Sequence, residues 1–163
     1  MFERIVTAIE TTVLGLWAGS MAGFAFIFAP IAIIWVPHMN TFASLIAATI
    51  RGIGSFGAIC GGIAIAAALS RIAGAGGRAL ALVRVGLVVV ALTGSSYESR
   101  TIIPRMEASA AQIPGPINSV PKDDPRRVAY DAEHTSSSRV YGTAFLCVVA
   151  ALSLAAFGRR KRA

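Results

Sequence analysis

The sequence predicts an all-α membrane protein, an antiparallel four-helix transmembrane bundle with a polar outer loop between helices 3 and 4. Three observations carry this. Apolar residues fill 55% of the 163 positions and charged ones only 14%, against roughly 25% charged in an average soluble domain. The mean hydropathy is +0.68, more apolar surface than the core of so short a chain can hide from water. The net charge of +7 is also concentrated rather than spread. Arg159, Arg160, Lys161 and Arg162 close the chain, and Arg71, Arg78 and Arg84 flank one short glycine-rich connection. That is the distribution expected of cytoplasmic ends under the positive-inside rule. A nucleic-acid surface would interleave basic and aromatic side chains on a soluble face, and the absence of such a stretch argues against nucleic acid as a partner.

The length suggests a single domain. A hydrocarbon core of ~30 Å needs about 20 apolar helical residues, and four segments meet that requirement. The first helix is expected over residues 8–36, with its apolar part from Val13 to Val36 and Pro37 beyond it. The charged stretch "FERIVTAIETT" lies at the inner interface as the same helix emerges, with Glu10 there as an interfacial residue rather than a buried acid. Glu3 and Glu10 spoil the positive start of a cleaved leader, so none is expected.

The second helix, 42–71, begins amphipathically. Phe42, Leu45, Ile46, Ile50 and Ile53 follow helical spacing, opposite a face of Ser44, Ala48, Arg51 and Ser55. The connection "RIAGAGGR" suits a turn between antiparallel neighbours. The third helix is expected over 79–103, stopping at Pro104, and the fourth over 138–158. Between them, from Met106 to Ser138, four prolines (Pro114, Pro116, Pro121, Pro125) predict an irregular polar excursion. Residues 95–139 carry six positive and six negative side chains, the balanced charge of an outer loop. Four crossings return both termini to one side, the cytoplasm.

Gly15, Gly19 and Gly23 form a ladder in the first helix, and Gly57 and Gly61 offer similar notches in the second. Each glycine costs a helix about 1 kcal/mol against alanine. Surrounded by lipid, helices associate by close backbone approach, which small residues at every fourth position permit. The expectation is a tightly packed hairpin of helices 1 and 2 along these glycines.

Arg51 and Glu98 are the intramembrane polar residues, and by depth they are expected to pair with each other, with a polar pathway or simple snorkelling of Arg51 as the alternatives. His38 and His134, with Met39 and Met106, share the outer side; imidazole and thioether together suit copper, and paired imidazoles could hold haem iron. The spacing fixes no coordination geometry, and the ordinary reading is of interfacial histidines. Cys60 and Cys147 read as small core residues. No nucleophile–base arrangement, phosphate-binding loop or HExxH is legible, so neither an enzyme nor a cofactor is expected.

Two stretches carry a family resemblance. "LWAGSMAGFAFIFAPIAI" opens the membrane part, and "IIPRMEA" followed by "DPRRVAYDAEHTSSSRVYG" and an apolar helix closes it. This pattern resembles the transmembrane protein 205-like family, four-helix membrane proteins whose bacterial members form a domain of unknown function. The resemblance implies a first helix marked by Trp17 and Gly19, a proline after helix three (Pro104), and His134 with Ser136 or Ser137 leading into helix four. More distantly, the layout is similar to copper-resistance membrane proteins.

The functional expectation is a non-catalytic protein of the bacterial cytoplasmic membrane. It would be an accessory or structural subunit of a larger complex, or a self-associating bundle, with lipids and other membrane subunits or itself as partners. The alternative is a binder or transporter of a small ligand or metal ion, and the third reading is a haem-bearing electron carrier.

Overall fold

The computed structural model describes residues 1–71 and 78–157. The connection after Arg71 and the basic tail after Phe157, on which part of the charge argument rests, lie outside the described residues. Four helices, each long and apolar enough to cross a membrane, run Phe2–Trp35 (α1), Met39–Leu69 (α2), Arg78–Ala110 (α3) and Pro125–Phe157 (α4). They pack antiparallel in a ring, each against its two neighbours, with α1 closing on α4. One end of the bundle holds the N-terminus and the ends of α2 and α4. The other, the loop end, holds the turn into α2 and the connection between α3 and α4.

Two cores are stacked along the bundle. The one nearer the termini centres on Leu14, Trp17, Met21, Val88, Val148 and Ala151, with Cys60 buried and Cys147 partly buried in it, both as free thiols. The loop-end core joins Ile46, Ile50, Ile103, Met106, Ile113 and Tyr130. In α2 the amphipathic reading holds at most positions: Ile46 and Ile50 are buried while Ser44, Ala48, Arg51 and Ser55 are exposed, but Leu45, read onto the apolar face, is exposed as well.

The glycine ladder of α1 does not do what its spacing predicts. A β-carbon added to Gly15, Gly19 or Gly23 would meet nothing within 4 Å, so these residues face away from the bundle. The buried stripe is Thr7, Glu10, Leu14, Trp17, Ala18 and Met21. At about 100° per residue, Trp17 points some 200° away from both Gly15 and Gly19. An indole brings roughly 150–250 Å² of surface to a core, and α1 turns it inward, which leaves the ladder outside. Gly57 and Gly61 of α2 do pack closely, but against side chains: Gly57 receives the Trp17 indole and Gly61 the Leu92 isobutyl group.

α1 and α3 each carry one π-helical turn, Phe24–Phe28 in α1 and Glu98–Ile102 in α3. Each turn ends two residues before a proline, Pro30 or Pro104. Proline cannot donate to the carbonyl four residues back and its ring crowds it; widening the preceding turn accommodates both faults, so neither helix stops there. Helix three therefore continues past Pro104 to Ala110, and helix four starts at Pro125, not near 138. The expected long excursion shrinks to residues 111–124, and it is pinned down. Ile113 and Val120 are buried, Arg127 donates to the Val120 carbonyl at 2.8 Å, and the Met39 amide donates to the Gly115 carbonyl at 3.2 Å. Gly115 has φ +85°, a conformation that only glycine adopts without strain.

Asp124 starts α4. Its carboxylate accepts from the Arg126 amide at 2.9 Å and from the Arg126 guanidinium at 2.7 and 3.0 Å. These hydrogen bonds hold its carboxyl well below the ordinary range, at about 2. A depressed folded value means that this contribution is complete above the ordinary carboxylate range and is lost as pH falls through about 2. In an NMR titration, Asp124 is expected to remain ionised at pH values where ordinary aspartates are half protonated. A midpoint near 4 would contradict the cap.

Candidate ligand cavity

Where the two cores meet, the packing leaves a cavity of about 330 Å³. Both π turns border it. The widened turn of α1 supplies Phe24, Ala25 and Phe26, and that of α3 supplies Glu98. Helix α2 contributes Phe42, Ile46 and Ile50, and α4 contributes Tyr130, His134, Ser137, Tyr141 and Phe145. Phe26, His134 and Ser138 are the exposed lining residues, so the cavity opens sideways between α1 and α4.

Glu98 is only 1% exposed. Its Oε1 accepts a hydrogen bond from Ser137 Oγ at 2.6 Å, and no arginine, lysine or histidine pairs with it among the described residues. Tyr141 is committed elsewhere: its hydroxyl donates to the Met21 carbonyl at 2.9 Å, next to the start of the α1 π turn. Its ring tilts against Phe24 with centroids 5.5 Å apart, and Tyr130 stacks on His134 at 6.1 Å. The wall is thus mainly carbon and aromatic, with one acid at its depth. Apolar pockets with a few converging polar groups are the usual form of small-molecule sites.

No family model matches this chain, and no curated protein or solved structure is significantly similar to it.

The sequence-predicted polar residues are regrouped by the fold. Arg51 does not meet Glu98; it pairs with Glu107. Gly54, three residues on, lies close against Ser99 of α3, and the long arginine side chain reaches from α2 toward the loop end, as snorkelling side chains do. Glu10 is a buried acid after all, 1% exposed, paired with Arg71 and with Arg84, whose Nε stands 3.3 Å away. Arg71 also donates to Thr7 Oγ1 at 2.8 Å. Sequence reasoning missed this cluster, although Thr7, Glu10 and Leu14 already share the i, i+3, i+7 register of one face.

Of the four metal candidates, His134 and Met106 line the cavity while His38 and Met39 do not. His38 is exposed ahead of α2, and Met39 is buried in the loop-end core with Met106. Among the described residues no group of three or more His, Cys, Asp or Glu side chains converges.

Proposed function

We propose that the protein is a membrane-embedded binder of small amphipathic molecules, which enter the cavity from the bilayer between α1 and α4. The observation that supports this is the placement of a buried carboxylate, Glu98, at the depth of an aromatic cavity whose mouth is bordered by the exposed Phe26, His134 and Ser138. A buried acid in a membrane is costly and typically marks a ligand or ion pathway. The π turns of α1 and α3 are a second support, because such turns recur at functional sites.

The test uses protein in lipid nanodiscs and three six-carbon amphiphiles: hexyltrimethylammonium, hexanol and hexyl sulfate. Ligand binding to the folded state raises stability by about 2.7 kcal/mol at a hundredfold excess over Kd. At least one of the three is expected to raise the melting temperature of the wild type and not of Gly142→Leu. Gly142 lines the cavity, and a β-carbon added there would meet nothing within 4 Å, so a leucine at this position starts in open space and is expected to occupy the cavity. No stabilisation by any of the three would overturn the reading.

One observation favours a second reading, an accessory subunit or self-associating bundle. Gly15, Gly19 and Gly23 present a small-residue stripe outward with no use inside the chain, a surface suited to another membrane helix. The native mass in mild detergent separates the two, since this reading requires a persistent partner or second copy. We further propose the bacterial cytoplasmic membrane as the location, with both termini on the cytoplasmic side; the arginines at 71, 78 and 84 support that orientation. Membership of the transmembrane protein 205-like family belongs to the same proposal. Its support is that the stretches carrying the resemblance contribute Phe24, Met106, His134, Ser137 and Tyr141 to one cavity.

A further inference from the structure

The geometry points to a class of ligand: an organic cation, an alkylated ammonium-type group carried on an apolar body, seated with its charge against Glu98. This rests on the cavity being a binding site, as proposed above, and goes further by naming the chemistry that the site selects.

The first argument is charge. Two acids in this bundle are only 1% exposed, Glu10 and Glu98. Glu10 is neutralised by two guanidinium groups. Glu98, by contrast, has one hydroxyl, that of Ser137, and no cation among the described residues. A carboxylate accepts several hydrogen bonds and, when buried, is stabilised above all by a positive partner. The fold supplies that partner at one acid and leaves the place open at the other, beside an empty volume. No lysine or arginine lines that volume, and its one basic lining residue, His134, is exposed at the mouth and makes no ion pair with Glu98.

The second argument is the wall. Six aromatic rings border the cavity: Phe24, Phe26, Phe42, Tyr130, Tyr141 and Phe145. Ring faces attract cations, most strongly where water is excluded, and aromatic enclosures are the common means of holding alkylated ammonium groups, which cannot be satisfied by hydrogen bonds. Tyr141 Oη is already spent on Met21, so that residue offers its ring rather than its hydroxyl. A hard metal ion such as calcium needs about six to eight oxygen ligands, and this lining offers one carboxylate and a few hydroxyls, of which that of Ser137 already donates to Glu98. A soft-edged organic cation finds both an acid and rings. The sideways mouth suits a body that already resides in the bilayer.

The experiment compares hexyltrimethylammonium with its carbon isostere, 2,2-dimethyloctane, and with hexyl sulfate, on full-length protein in nanodiscs. Gly142→Leu measures partition into the bilayer. The cation is expected to bind the wild type at least tenfold more tightly than the isostere and the anion more weakly than either. Glu98→Gln keeps the size of the side chain and an acceptor for Ser137; it is expected to bring the cation to within about threefold of the isostere, whose own affinity stays unchanged. Equal or tighter binding of the isostere by the wild type would overturn the cation assignment while leaving the cavity a binding site. A preference that persists in Glu98→Gln would overturn the role of Glu98. Absence of binding by all three, and by hexanol as well, would overturn the underlying reading. Should Glu98→Gln not fold, the wild-type comparison of cation with isostere decides the matter.

Discussion

Glu10→Ala is expected to destabilise the bundle by about 3–5 kcal/mol, the cost of leaving a buried charge without its partner. Glu10 is 1% exposed and Arg84 5%, so water cannot take over the role of the lost carboxylate. Its two oxygens face guanidinium groups from Arg71, just beyond the end of α2, and from Arg84 of α3, and one substitution therefore leaves two cations facing each other. Thr7 would still hold Arg71, but a hydroxyl carries no compensating charge. Because the cluster ties α1 to α2 and α3 at the end that holds the N-terminus, the loss should loosen that end first. The measurement is reversible unfolding in mixed micelles, with amide exchange at residues 6–14 as a local readout. Arg84→Met in the Glu10→Ala background is expected to restore a good part of the loss, since it removes one of the two unpaired charges. A Glu10→Ala protein within about 1 kcal/mol of wild type would show that the pair contributes no more than a surface ion pair.

The second large effect is a contrast between glycines. Gly57→Ala is expected to cost about 1–3 kcal/mol, the usual range for forcing volume into a packed core. The new methyl carbon would stand 2.5 Å from Trp17 Cε2 and 2.9 Å from Cζ2. The indole is fully buried and rigid, so α1 and α2 must part to admit it. At Gly61 the contact is the flexible end of Leu92, 3.0–3.1 Å away, and the penalty should be smaller. Gly19→Ala should be neutral or stabilising by up to about 1 kcal/mol, because the methyl meets nothing and alanine is the better helix former. The same unfolding assay reads all three variants. If Gly19→Ala proved more damaging than Gly57→Ala, the ladder would be the true α1–α2 contact and the orientation of α1 described here would be wrong.

That contrast shows where the sequence was legible and where it was not. The apolar runs gave four spans, and the exposed face of α2 was readable from Ser44, Ala48, Arg51 and Ser55 at helical spacing. The small-residue ladder was visible too, but two stripes competed on α1. Gly15, Gly19 and Gly23 form one; Leu14, Trp17, Ala18 and Met21 form the other. Only packing could rank them, and the volume of the indole decided it. The stops at Pro104 and near residue 138 were misread for a related reason: a proline ends a helix unless a widened turn and tertiary contacts absorb it. Part of the cavity was present among the polar and metal-ligand candidates already singled out, in Glu98, Met106 and His134. Phe24, Tyr141 and Phe145 were not, and Phe42 was read only as part of an apolar helix face, since nothing local distinguishes a cavity aromatic from a core one.

By itself the sequence determined that this chain is helical and that it holds four segments long and apolar enough to cross a membrane. Those properties follow from composition and from the length of apolar runs, which depend on the solvent and not on neighbours. Which acid met which base was decided only in three dimensions: Arg51 reached Glu107 across α2 and α3, and Glu10 turned inward on the same face of α1 as Trp17 to meet Arg71 and Arg84. Pairing is a property of distance between elements, and distance between elements is set by side-chain volumes that no single helix contains.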